Sequence, residues 1–173
     1  DKTVNLRGKI HGGGIHAPEH HSESTEALFV HIPGLKVVVP STPAETKGLL
    51  TAAIRDPDPV IFLEPARIYR AIKEEVPEGE YVIPLGKARV VQEGRHITLI
   101  SWGAMLRPTL RAAEMAGEEG IQAEVIDLRT LYPLDTDTII ESVKKTKRAV
   151  VIHEAPKVAG LGAEIIALIN ERA

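Results

Sequence analysis

The chain has no cysteine, which excludes disulfides, thiolate metal sites and a cysteine nucleophile, and is compatible with a reducing compartment. Nor is there an excess of positive charge. Twenty-one Lys and Arg stand against 24 Asp and Glu, for a formal net charge of -3, and the basic residues are scattered, which argues against a nucleic-acid footprint. The one basic cluster, Lys144-Lys145-Thr146-Lys147-Arg148, reads as a solvated helix end, where cations suit the dipole. Long hydrophobic runs are missing too, as is a basic-then-apolar leader, so the expectation is a soluble, cytoplasmic protein without membrane contact. No solenoid-period repeat or low-complexity tract is visible. What remains is 173 residues, 43% of them hydrophobic and 26% charged, enough to bury a core as one domain or two small ones.

Short β-branched runs alternate with helical patterns. Val37-Val38-Val39, Val60 to Leu63, Ile97 to Ile100, Val125-Ile126 and Val150 to Ile152 are continuously apolar, as strands covered on both faces should be. Between them, Thr42-Pro43-Ala44-Glu45 supplies a capping threonine, a proline at the first helical position and a glutamate three residues after the cap. Leu49, Leu50, Ala53 and Ile54 are expected to form the buried stripe of that helix. A second helix runs through Leu106, Leu110 and Ala113 to about Gly117, and a third opens at Asp135 or Asp137. A fourth follows Gly160-Leu161-Gly162, with Ile165, Ile166 and Ile169 turned inward. Strands separated by helices imply right-handed crossovers and an open α/β architecture. The rhythm breaks once, between Ala66 and Leu85, where an extended, charged stretch with two prolines reads as a linker between two units.

Chemistry-bearing groups concentrate in residues 12–26, where Gly12-Gly13-Gly14 leads to His20-His21 and then to the helix start Ser22-Glu23-Ser24-Thr25-Glu26. Glycines let the backbone approach a ligand closely, and imidazole exchanges its proton near neutral pH. From the residues alone, His21 is either a working group or a helix-capping or surface histidine. Ser22 and Ser24 are expected to cap the helix, with Glu23 or Glu26 in its first turn. His11, His16, His20 and His21 together raise a zinc alternative, although their spacing matches no standard ligand pattern.

Several blocks then occur in one order: the three glycines, His21 to Ala27, Pro33 to Val38, Ala44 to Leu50, Asp56-Pro57-Asp58-Pro59, Glu64-Pro65, Glu75-Val76-Pro77, Glu124 to Leu131 and His153-Glu154-Ala155-Pro156. In this the chain resembles the β subunit of the thiamine-diphosphate-dependent decarboxylating component of 2-oxo acid dehydrogenases, pyruvate or branched-chain. The resemblance implies an α/β, transketolase-like plan with mainly parallel sheets flanked by helices. Residues 1–66 would be the second half of a pyrimidine-binding domain, 67–85 a linker, and 86–173 most of a transketolase C-terminal-type domain, so that the chain is short at both ends. It further implies oxidative decarboxylation of a 2-oxo acid and acyl transfer to lipoamide, together with an α subunit in a heterotetramer and a lipoyl acyltransferase core. Thiamine diphosphate and magnesium would be held by the α subunit and by residues absent here, including the glutamate that protonates the cofactor's aminopyrimidine. No cofactor-binding residue is therefore assigned in this sequence.

By the same resemblance, His21 stands beside the thiazolium ring, where it can orient a substrate carboxylate or move protons during acyl transfer. The Asp56 to Pro59 turn would surround a structural potassium ion, with Ala53 through its carbonyl, Asp56 and Asp58 as ligands; hard oxygen donors suit such an ion, and a plain turn after a helix is the alternative. Asp127, Arg129, His153 and Glu154 fall at strand ends, where open sheets place ligand crevices, or Asp127 and Arg129 form a structural ion pair or interface contact. Two further functional alternatives are a non-catalytic assembly or docking module and a transketolase-type sugar-phosphate enzyme; the second lacks the expected basic and histidine set after the linker. Taken alone, the chain is expected to be catalytically silent.

Overall fold

A computed structural model describes the backbone of residues 6–10 and all of residues 23–173. In chain order the elements are β1 (Leu6–Ile10), α1 (Glu26–Val30), β2 (Lys36–Val38), α2 (Pro43–Arg55), β3 (Val60–Pro65), β4 (Arg89–Gln92), β5 (Ile97–Ser101), α3 (Leu106–Glu118), β6 (Ala123–Asp127), β7 (Thr130–Tyr132), α4 (Thr136–Thr146), β8 (Ala149–Ile152) and α5 (Leu161–Arg172). They build two four-stranded sheets, ordered β1-β3-β2-β7 and β4-β6-β5-β8. In the first, β3 pairs in parallel with β1 and β2, and β7 adds to β2 antiparallel. In the second, β5 is parallel to β6 and β8, and β4 is the antiparallel edge beside β6.

The continuous apolar strands have the two-sided burial their composition requires. Because successive side chains on a strand point to opposite faces, Val38, Val60 and Phe62 pack on Leu49 and Ala53 of α2. Val37, Val39, Ile61 and Leu63 turn the other way, into a cluster with Ile100, Trp102, Ile126, Leu128, Leu131, Ile139, Leu161 and Ile165. That second cluster draws on both sheets and fixes one against the other. Leu99, Ala123 and Val125 use their remaining face to seat Leu106 and Ala113 of α3.

Helix starts follow the capping chemistry. Thr42 accepts a hydrogen bond from the Glu45 backbone N–H at 3.3 Å, and Asp135 caps α4 by accepting from Thr138 N. Lys144 and Lys145 occupy the last turn of α4, and Lys147 caps it in the left-handed conformation at φ 63°. Three expectations need correction. Ile54 and Ile166 are exposed at 59% and 41%, since they lie five residues, or about 140° of helix rotation, past the core residues Leu49 and Leu161 of their helices. The N-cap of α1 is Thr25, without a side-chain capping bond, and Ser24 does not take that position; Ser22 lies outside the described residues.

After a short 3-10 turn at Ala66–Ile68, the linker has no regular structure up to β4 and is strapped to α2. Tyr81 Oη donates to the Ala44 carbonyl at 2.6 Å, and Ile83 N donates to the Gly48 carbonyl at 3.1 Å. Gly48 is required there, because a Cβ would stand 2.6 Å from Ile83 Cγ1.

Candidate functional site

The C-terminal ends of β2, β3, β5, β6 and β8 converge where the two sheets face one another, as ligand crevices of open α/β sheets do. Trp102 follows β5, and His153 and Glu154 follow β8. Glu26, the first residue of α1, is buried against them at 2% exposure. Its carboxyl bonds the Trp102 indole, yet burial, aided by the Glu154 charge, raises it above the ordinary range despite that bond. Its Oε2 has no partner and sits at a cavity about the size of one water, lined by Ser24, Val39, Pro65, Trp102, Gly103 and Glu154. Glu154 is in turn held by Arg67, whose Nη1 lies 3.0 Å from its Oε1.

His21 lies outside the described residues, as do His11, His16 and His20. Glu26, five residues after His21, is held at the seam between the sheets. No group of three or more His, Cys, Asp or Glu able to hold a metal occurs among the described residues.

At the Asp56 to Pro59 turn a cation already stands in place. Lys36 Nζ lies 2.7 and 2.8 Å from the two Asp56 oxygens and 3.0 Å from Asp58 Oδ2, while Asp56 Oδ1 also accepts from Asp58 N at 2.9 Å. Partial burial alone would raise the Asp56 carboxyl, but the Lys36 ammonium and the Asp58 N–H bring it below 3.8. The Ala53 carbonyl belongs to the last turn of α2, where carbonyls lack intrahelical partners. Oxygen donors are thus present for a monovalent cation, with the Asp56 carboxylate committed to Lys36.

Asp127 and Arg129 meet differently from a simple ion pair. The Arg129 backbone N–H donates to Asp127 Oδ1 at 3.3 Å. Its guanidinium instead bonds the carbonyls of Lys87 and Ala88 at 2.9 and 3.1 Å and approaches Glu45 Oε1 at 3.9 Å. Within the chain, Glu45 is the acidic side chain nearest the Arg129 guanidinium. Sequence reasoning missed the burial of Glu26 and Glu45, because a glutamate in a first helical turn carries the same signal whether it caps the helix or enters a core.

Two family models match. Residues 8–72 match the transketolase pyrimidine-binding domain and residues 86–173 the transketolase C-terminal domain. The chain belongs to the transketolase family. Among curated relatives of this transketolase-family chain, the pyruvate dehydrogenase E1 component subunit beta of Acholeplasma laidlawii is 57% identical over 163 residues, 94% of this chain and 50% of that protein. The mitochondrial 2-oxoisovalerate dehydrogenase subunit beta of Dictyostelium discoideum is 58% identical over 163 residues, 94% of this chain and 44% of that protein. The Bacillus subtilis (strain 168) pyruvate dehydrogenase E1 component subunit beta is 56% identical over 162 residues, 94% of this chain and 50% of that protein. The chain thus spans about half the length of the curated relatives it matches. A solved structure described as "Split gene transketolase, inactive beta4 tetramer" superposes with a TM-score of 0.80 at 28% identity, covering 97% of this chain and 53% of that one. The family match agrees with the α/β, transketolase-like plan expected from the motifs.

Proposed function

We propose that this chain is part of the β subunit of a thiamine-diphosphate-dependent 2-oxo acid dehydrogenase component, acting with an α subunit to decarboxylate a 2-oxo acid and pass the acyl group to lipoamide. The observation that carries this reading is the pair of transketolase domain matches in order, joined to more than half identity with pyruvate and 2-oxoisovalerate dehydrogenase β subunits across 94% of the chain. In that assignment the cofactor supplies the electron sink that makes loss of carbon dioxide feasible. Its diphosphate and magnesium are assigned to the α subunit.

The working residue we assign to this chain is His21. An imidazole titrating near neutral pH can orient a substrate carboxylate in one protonation state and deliver protons to the lipoyl sulfur in another. The helix α1, which begins five residues later, is seated by the buried Glu26 against Trp102. Ala53, through its carbonyl, Asp56 and Asp58 are assigned to a potassium ion that steadies the end of α2. A heterotetramer with the α subunit, docking to a lipoyl acyltransferase core and a cytoplasmic location complete the proposal. Among the described residues no helix is long and apolar enough to cross a membrane.

Co-expressing the complete β chain with its α subunit and following 2-oxo acid-dependent dye reduction tests the assignment. Activity should require both subunits and the cofactor, and His21→Ala should retain assembly while losing acyl transfer to lipoamide. Absence of any 2-oxo acid-dependent turnover in the assembled complex would favour the assembly-module reading. A solved relative described as an inactive β tetramer gives that second reading its support.

A further inference from the structure

Between the two sheets lies a buried pair of carboxyl groups that the proposed chemistry does not use. Asp127 ends β6 at 0% exposure, and Glu45, in the first turn of α2, is 2% exposed. One comes from each side of the boundary between the two transketolase domains. Two ionised carboxylates side by side in such a place repel one another and lose their hydration.

Charged and polar groups face the pair from every element packed against it. Arg89 on β4 pairs in register with Asp127, as does Ser101 on β5; Arg129 follows β6, and Ser41 precedes α2. Arg89 Nη1 lies 3.4 Å and Arg129 Nη1 3.9 Å from Glu45 Oε1, so both cations address the same oxygen of Glu45. Asp127 Oδ1 accepts the Arg129 N–H. What remains is Glu45 Oε2 and Asp127 Oδ2, each buried and making no hydrogen bond, on side chains within hydrogen-bonding reach of each other, with the Ser41 hydroxyl also close to Asp127. Two bare acceptors cannot bond. One proton between them turns the mismatch into a charge-assisted O–H···O contact.

We propose that Asp127 is held as a neutral carboxylic acid donating its proton to the Glu45 carboxylate, and that this bond is a pH-sensitive latch fastening α2 to the end of β6 across the domain boundary. Burial, followed by the Glu45 charge, drives the Asp127 carboxyl well above 3.8, against the opposing pull of Ser41 and Arg129. In the open state Asp127 regains its ordinary value. The closed state therefore binds the extra proton, and the latch weakens as pH rises from about 3.8 towards the closed-state value. Within that window the closed-to-open ratio falls about tenfold per pH unit. This inference is independent of the proposed activity.

Two measurements on the chain test it. Infrared spectra at neutral pH should contain a protonated-carboxyl C=O stretch that Asp127→Asn removes. Proteolysis of the 67–85 linker, which is strapped to α2, should accelerate with pH in the wild type, after normalisation to an unstructured peptide. It should be insensitive to pH in Asp127→Asn. Glu45→Gln is the second variant should the first fail to fold; its amide donates to an ionised Asp127, so it too should flatten the profile. Lack of the protonated band in the wild type, or an unchanged pH slope in the variant that folds, overturns the proposal.

Discussion

The rings of Trp102 and His153 lie face to face, with centroids 5.2 Å apart and planes 13° from parallel. They follow the parallel neighbours β5 and β8, so the stack closes the C-terminal edge of the second sheet. Trp102 also bonds Glu26 of α1, and the stacked pair thereby links the second sheet to the helix that begins shortly after His21.

His153 should make stability pH-dependent on the acid side. Its Nδ1 is buried without a partner, and burial depresses its imidazole below 6.5. As pH falls below that value the unfolded chain takes up the proton first, so stability is lost between about 6.5 and the folded value. The difference in urea midpoint between the wild type and His153→Asn, which loses the stack, should shrink from mildly alkaline to mildly acidic pH, because only the wild type carries the titrating imidazole.

Two glycine substitutions should act in opposite directions. A Cβ on Gly162 would meet His153 Nε2 at 2.5 Å and Cδ2 at 2.9 Å, so the ring would have to shift out of its stack on Trp102. Gly162→Ala should cost about 1–3 kcal/mol. Gly117 in α3 has open space around a Cβ, so Gly117→Ala should stabilise by about 0.5–1 kcal/mol through helix propensity. Chemical denaturation of both variants checks the sign of each.

Lys36 holds the turn after α2. Because it keeps Asp56 below 3.8, the stabilisation is present above that value and disappears as pH falls through the folded one. Lys36→Met should cost about 1 kcal/mol at neutral pH and much less in acid. A thermal shift series in potassium and sodium chloride on the same variant reports on the proposed ion. Potassium-specific stabilisation that grows in Lys36→Met would show the ion and the ammonium competing for the Asp56 and Asp58 carboxylates, and its absence from both proteins would remove potassium from the proposal.

Lys145 compensates a buried charge. Glu124, only 1% exposed, contacts the Lys145 ammonium. Burial alone would raise its carboxyl, but the lysine, then Ser142, bring it below 4.5. Lys145→Met should cost about 1 kcal/mol, since the lysine is half exposed and Gly94 N still donates to the carboxylate, and adding Glu124→Gln should recover part of that loss. A double-mutant cycle by denaturation measures the coupling; additive effects would show that the contact carries none.

Local patterns suffice where one residue's chemistry decides the outcome. Thr42 and Pro43 announce α2, Asp135 announces α4, and the unbroken apolar runs become covered strands. Ile54 and Ile166 depart from expectation because apolar character alone does not say which side of a helix meets the core. Glu45 is the clearest failure of local reading. Its backbone N–H obeys the capping rule, while its side chain turns to Arg89 and Asp127, 44 and 82 residues away in sequence.

By itself the sequence determined the order of elements, the exclusion of thiol chemistry and, through its motif blocks, the family, because these depend on residue type and short-range spacing. Tertiary structure alone decided which polar groups lost their water. The proton between Glu45 and Asp127, the Lys36 clamp at the turn and the Trp102–His153 stack all join residues distant in the chain, and desolvation by distant neighbours leaves no local pattern to read.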